Sequence, residues 1–133
     1  TPTARTSSQA LKNVKLLWKA LGARIIILTP KQHDKILAFV SHLPHLIAFS
    51  LINTVPKELL KFSSGGLKDT TRIAASDTVL WRDILLSNRA NLLSAIKLFE
   101  SNLTRLKSAI KANNGKAVES ILSQSKRIRE NLK

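Results

Sequence analysis

The chain has no cysteine, which excludes disulfides, thiolate zinc sites and cysteine nucleophiles, and with them a small secreted scaffold held by cross-links. A cytoplasmic origin is the expectation that follows. It has no methionine and opens on Thr1, so it is expected to be part of a longer polypeptide. Glycine and proline are scarce, four of each in 133 residues, and the apolar residues are not diluted as they are in a disordered tail. The longest unbroken apolar runs are Ile25-Ile26-Ile27-Leu28 and Leu46-Ile47-Ala48-Phe49. Both fall short of the ~20 residues that a membrane helix needs. No signal-type segment opens the chain, so no membrane partner is expected. Acidic residues are few, 8 against 22 Lys plus Arg, which leaves a net charge of +14.

What remains is a chain that is 44% apolar, enough for one folded domain with a cationic surface. Thr6-Ser7-Ser8-Gln9 has the Thr-x-x-Gln form of a capping box, and Leu11, Val14, Leu17, Trp18 and Leu21 follow at helical spacing up to Gly22. Trp18 is expected in the core. Apart from Arg24, residues 23–28 are apolar and rich in β-branched side chains, which suits a strand buried on both faces. Such a lone strand must find cover, and pairing with the same strand of a second copy is the expected solution. Thr29-Pro30-Lys31-Gln32 repeats the capping form with proline at the first helical position, and Ile36, Leu37, Phe39, Val40, Leu43, Ile47 and Leu51 form one stripe. Pro44 should kink that helix.

Pro56 can open a short helix to about Phe62, and Ser63-Ser64-Gly65-Gly66 is expected to be a loop. Ser76 or Asp77 can cap a helix through Trp81, and Asn88 can cap the next. Leu92, Ile96, Phe99, Leu103, Leu106 and Ile110 are spaced alternately four and three apart, a heptad seam that wants a partner helix and predicts a dimer interface. Asn113-Asn114-Gly115 ends it. A last amphipathic helix carries a basic end, Lys126, Arg127, Arg129 and Lys133.

Chemistry-bearing patterns are few. Neither a Gly-x-Gly-x-x-Gly loop nor a Gly-Lys-Ser/Thr ending is present. His33, His42 and His45 are the only histidines, and they lack a second carboxylate at ligand spacing, so no metal is expected. His45 next to Pro44 reads as a packed, hydrogen-bonded side chain. Arg72 stands near Gly65-Gly66, where its planar guanidinium could take a carboxylate, or it could merely pair with Asp69 three residues back. Trp81 reads as core. The basic residues are scattered and the aromatics are not interleaved with them, so most of the charge is a solvated face.

Two stretches go further. Ser41-His42-Leu43-Pro44-His45, and Gly65-Gly66-Leu67-Lys68-Asp69-Thr70-Thr71-Arg72-Ile73-Ala74-Ala75-Ser76-Asp77 followed by Trp81-Arg82-Asp83-Ile84, resemble the prephenate/arogenate dehydrogenase family of tyrosine biosynthesis. The resemblance covers nearly the whole chain. Residues 1–29 look like the end of that family's nucleotide-binding domain, and residues 30–133 look like its helical substrate-binding and dimerisation domain. The implied fold class is therefore mainly all-α, with one helix and one β-strand left over from a Rossmann-type domain at the front.

The resemblance implies oxidation of a cyclohexadienol, prephenate or arogenate, by NAD or NADP with loss of carbon dioxide, in a homodimeric enzyme. The family's dinucleotide loop and hydride-transfer histidine lie upstream of anything present, so the chain alone should bind no cofactor, contain no catalytic residue and be inactive. By the same resemblance Arg72 would hold a substrate carboxylate, Ser41 and His42 would face substrate and nicotinamide, and Gly65, Asp69 and Trp81 would line or gate the pocket, with His45 in support. The positive charge would steer anionic ligands toward the cleft. Thr78 departs from the pattern, standing where the family often has proline, and the link between His45 and Gly65 is short. The alternative is a basic helical module without activity that binds nucleic acid through its C-terminal end.

Overall fold

The computed structural model describes residues 1–132. Lys133, the last residue of the expected basic end, lies outside them; Lys126, Arg127 and Arg129 are exposed.

Helix α1 spans Ser8–Ala20, and its cap is Ser7, whose hydroxyl accepts from the Ala10 N–H. The expected box on Thr6 does not form, because Thr6 is engaged in the turn before it, accepting from the Thr3 N–H, while Gln9 donates to Asn13. The helix ends in a Schellman motif. Gly22 takes φ of 79°, its N–H reaches the Lys19 carbonyl, and the Ala23 N–H reaches that of Trp18.

Residues 23–28 are not a strand, and no strand occurs among the described residues. A strand needs a neighbour to complete its ladder, and this segment has no strand beside it among the described residues; Ile25, Ile26 and Ile27 line a groove with Thr1, Pro2 and the α1 residues Val14 and Trp18. Ile26, Ile27 and Trp18 stay largely exposed, so Trp18 is not the core residue that its type suggested.

At Thr29 both halves of the capping box are made: Gln32 N–H donates to the Thr29 hydroxyl, and the Thr29 N–H donates to the Gln32 side chain. Helix α2, Pro30–Leu37, continues through a π-helical turn at Ala38–His42 into α3, Leu43–Thr54. The wide turn closes with a bond from the Leu43 N–H to the Ala38 carbonyl. It precedes Pro44, whose ring would collide with the carbonyl four residues back in a regular helix, so the expected local distortion is a π turn. The combined run Pro30–Thr54 has 25 residues and is long and apolar enough to cross a membrane by length and composition alone, which the short apolar runs of the sequence do not reveal. Ser41, His42 and His45 interrupt it, and Ala38, His42 and Ala48 are its buried residues.

A 3₁₀ helix at Lys57–Phe62 leads to α4, Gly65–Thr71, a 3₁₀ turn at Arg72–Ala75, and α5, Thr78–Ser87. Gly65 and Gly66 are thus the first residues of a helix and not a loop. Neither has positive φ, and the Lys68 N–H donates to the Ser64 carbonyl to start the turn. Helix α3 packs against both α4 and the Arg72–Ala75 turn.

Helix α6, Arg89–Lys111, and α7, Gly115–Glu130, complete the chain. Contacts divide it into two units, Thr1–Leu92 and the part from Leu93 onward. In the second unit Asn113, at φ 48°, makes the turn by the same Schellman pattern, and Asn114 caps α7 through the Ala117 N–H. Phe99, Leu103 and Leu106 of the heptad seam line a groove with Ile121 of α7. Leu103 and Ile110 nevertheless remain 53% and 61% exposed.

Candidate functional site

The first unit gathers the histidines of the Ser41–His45 stretch around Trp81. Asp77 caps α5 by accepting from the Leu80 N–H at 2.8 Å, which sets the helix that carries Trp81. Trp81 is 9% exposed. The His45 ring stacks on the indole, with centroids 3.6 Å apart and planes 18° apart, and His42 approaches it edge-on at 6.2 Å and 82°.

Hydrogen bonds assign the protons on both rings. His45 Nδ1 lies 2.9 Å from the Ser41 carbonyl oxygen. A carbonyl only accepts, so this nitrogen donates, and neutral His45 keeps its lone pair on Nε2. His42 is 7% exposed, with Nδ1 3.2 Å from Asn88 Nδ2. The same Asn88 Nδ2 donates to the Asp34 backbone carbonyl at 2.7 Å, while Asn88 Oδ1 accepts from Asn91 Nδ2 at 2.8 Å. The amide orientation is therefore fixed, and His42 Nδ1 accepts. Burial holds His42 below its ordinary pKa of 6.5; Asp34 opposes the shift, and His33 and His45 add to it. His42 is thus neutral at physiological pH.

Gly65 and Asp69 also meet. A Cβ placed on Gly65 would lie 3.7 Å from Asp69 Oδ2, an ordinary contact. Arg72 follows on the 3₁₀ turn that packs against α3, the helix of His45. Its side chain is exposed and makes no ion pair among the described residues, so the pairing with Asp69 considered from the sequence is not formed. Of the residues singled out, Ser41, His42, His45 and Trp81 are therefore joined directly, Gly65 and Asp69 form a second pair, and Arg72 has a free guanidinium.

A cleft of about 300 Å³ runs beside Trp81, lined by Leu46, Phe49, Thr78, Arg82 and Leu85. Among the described residues no group of three or more His, Asp or Glu is placed to hold a metal. Sequence reasoning missed Asn88 as a partner of His42. It read as a helix cap, and no local pattern links it to a histidine in another helix.

Comparison with known proteins places this geometry. Residues 29–124 match the family model of the prephenate dehydrogenase dimerization domain. The chain is 36% identical over 140 residues to a cyclohexadienyl dehydrogenase of Zymomonas mobilis, covering 100% of this chain and 48% of the relative. It is 30% identical over 138 residues to a prephenate dehydrogenase of Bacillus subtilis, covering 99% and 37%. Among solved structures it superimposes with a TM-score of 0.87, at 39% identity, on prephenate dehydrogenase from Aquifex aeolicus in complex with hydroxyphenyl propionate and NAD⁺, covering 100% of this chain and 49% of that one. Synechocystis arogenate dehydrogenase matches with a TM-score of 0.81 at 25% identity, covering 98% and 50%. The chain thus spans half or less of the length of these relatives.

Proposed function

This chain belongs to the prephenate dehydrogenase family through its dimerization domain, and we propose that it is the substrate-binding and subunit-joining half of an NAD(P)-dependent dehydrogenase acting on prephenate or arogenate. In this reading residues 1–29 are the end of the nucleotide-binding domain and residues 30–133 the helical domain of a cytoplasmic homodimer. One observation carries the assignment of the substrate end. The guanidinium of Arg72 is exposed and unpaired on a turn packed against the helix of His45, where it is available to an anion.

Arg72 takes a carboxylate of the substrate through charge-assisted bonds. Ser41 and His42 face the substrate and nicotinamide, with His42 neutral, and Gly65 and Asp69 line the entrance. Trp81 and the stacked His45 hold the wall behind them. A dinucleotide bound by the other half of the enzyme would supply the hydride acceptor, and aromatisation of the ring would supply much of the driving force for loss of carbon dioxide. The chain spans about half the length of its relatives, and in this reading the nucleotide-binding half completes the active enzyme.

The test is a chimera that places this chain behind the nucleotide-binding half of the Zymomonas mobilis relative, assayed for reduction of NAD⁺ or NADP⁺ with prephenate and with arogenate. Turnover of either substrate by the chimera, with none from the chain alone, is expected. A folded chimera that binds dinucleotide but oxidises neither would overturn the reading.

A further inference from the structure

We propose that Asn88 is a positioning residue that locks neutral His42 in its Nε2–H tautomer, so that His42 offers a hydrogen-bond donor to an acceptor oxygen of the ligand. The consequence for ligand binding rests on the functional reading above; the lock itself does not.

The argument begins with the carboxamide. Asn88 is 8% exposed, and it uses both ends of its side chain. The Asp34 carbonyl at 2.7 Å can only accept, so the group facing it must be the amide nitrogen, and the oxygen then faces the Asn91 amide at 2.8 Å. Flipping the amide would set oxygen against a carbonyl and nitrogen against nitrogen. With the amide held from two sides, its second hydrogen points to His42 Nδ1 at 3.2 Å, and that nitrogen must supply a lone pair. The proton of the neutral ring then belongs on Nε2.

Burial completes the step. Every fully buried side-chain nitrogen or oxygen among the described residues has a hydrogen-bond partner; His42 Nε2 makes no hydrogen bond among them, so it is not completely closed off, although the residue as a whole is only 7% exposed. The N–H it carries is available to a carboxylate or carbonyl oxygen. His45 is set the opposite way by the Ser41 carbonyl, with its lone pair on Nε2. The two histidines of one helical run therefore differ in kind, one a donor and one an acceptor. Second partners of this sort fix the tautomer of functional histidines and set what the far nitrogen can do.

The experiment is nitrogen NMR of the isotope-labelled chain at mildly alkaline pH, with the His42 signals assigned by their loss in His42→Gln. The wild type should show a pyrrole-like Nε2 and a pyridine-like Nδ1 at His42, with about a tenfold preference, the effect of one hydrogen bond. In Asn88→Asp the new carboxylate can only accept, and His42 should turn over to the Nδ1–H form. In Asn88→Ala the preference should collapse toward a mixture. An Nδ1–H form or an even mixture in the wild type overturns the proposal, as does an unchanged Nε2–H form in either folded variant. A merely structural Asn88 would lower thermal stability without moving the tautomer. Should the variants not fold, the wild-type spectrum alone decides. None of these outcomes depends on turnover, so the lock can fail while the dehydrogenase reading stands, and the reverse.

Discussion

The imidazole of His45 lies flat on the indole of Trp81, with ring centroids 3.6 Å apart, and this contact ties the helix after the π turn to α5. Trp81 also meets His42 edge-on and is nearly buried. Trp81→Ala should therefore cost ~3–5 kcal/mol of stability, the usual range for truncating a buried aromatic. Trp81→Phe, which keeps a ring for His45 to stack on, should cost less. Urea unfolding followed by circular dichroism checks both. A loss below about 1 kcal/mol in the alanine variant would place Trp81 outside the core.

His42 makes stability depend on pH in a known direction. Burial lowers its pKa below 6.5 in the folded chain, so the unfolded chain binds the proton more readily. Stability from this group is fully present above the unfolded value and is lost as pH falls from about 6.5 through the lower folded value. Chemical denaturation between mildly alkaline and mildly acidic pH should show that decline, and His42→Gln should flatten it. An equally steep decline in the variant would assign the effect to other groups.

The exposed part of the α6 seam predicts association. Leu103 and Ile110 are more than half exposed, as are Leu98 of α6 and Leu122 of α7. We expect a homodimer by light scattering at micromolar concentration, and a shift to monomer in the double variant Leu103→Asp and Ile110→Asp. A monomeric wild type, or a dimer indifferent to both charges, would remove α6 from the interface.

Local rules carried the sequence reading a long way. Thr29 with Gln32, Gly22, Asp77 and Asn113-Asn114 mark helix ends through neighbours within a few residues, and those signals are in the sequence. The stretch at residues 23–28 misled because β-branched composition describes a strand only when other strands stand beside it, and none does among the described residues. Gly65-Gly66 misled for the opposite reason, since glycine permits a loop without requiring one, and both residues take helical conformation. At the site, Ser41, His42 and Trp81 were singled out only through the family resemblance; residue type and spacing alone read Trp81 as core and His45 as a packed histidine. The bond from Asn88 to His42 was not legible, because it joins residues 46 apart and depends on how the π turn meets the end of α5.

The most direct test of the account is the kinetics of Arg72 variants in the chimeric dehydrogenase. Arg72 makes no ion pair among the described residues, so Arg72→Ala should leave stability nearly unchanged, within about 0.5 kcal/mol. The loss of a charge-assisted bond to a carboxylate, ~1.5–3 kcal/mol, should lower kcat/KM roughly tenfold to a hundredfold, chiefly through KM for the substrate and not for the dinucleotide. Arg72→Lys should recover only part of this, since an ammonium cannot bind bidentately. Unchanged substrate KM in a stable Arg72→Ala variant would contradict the account.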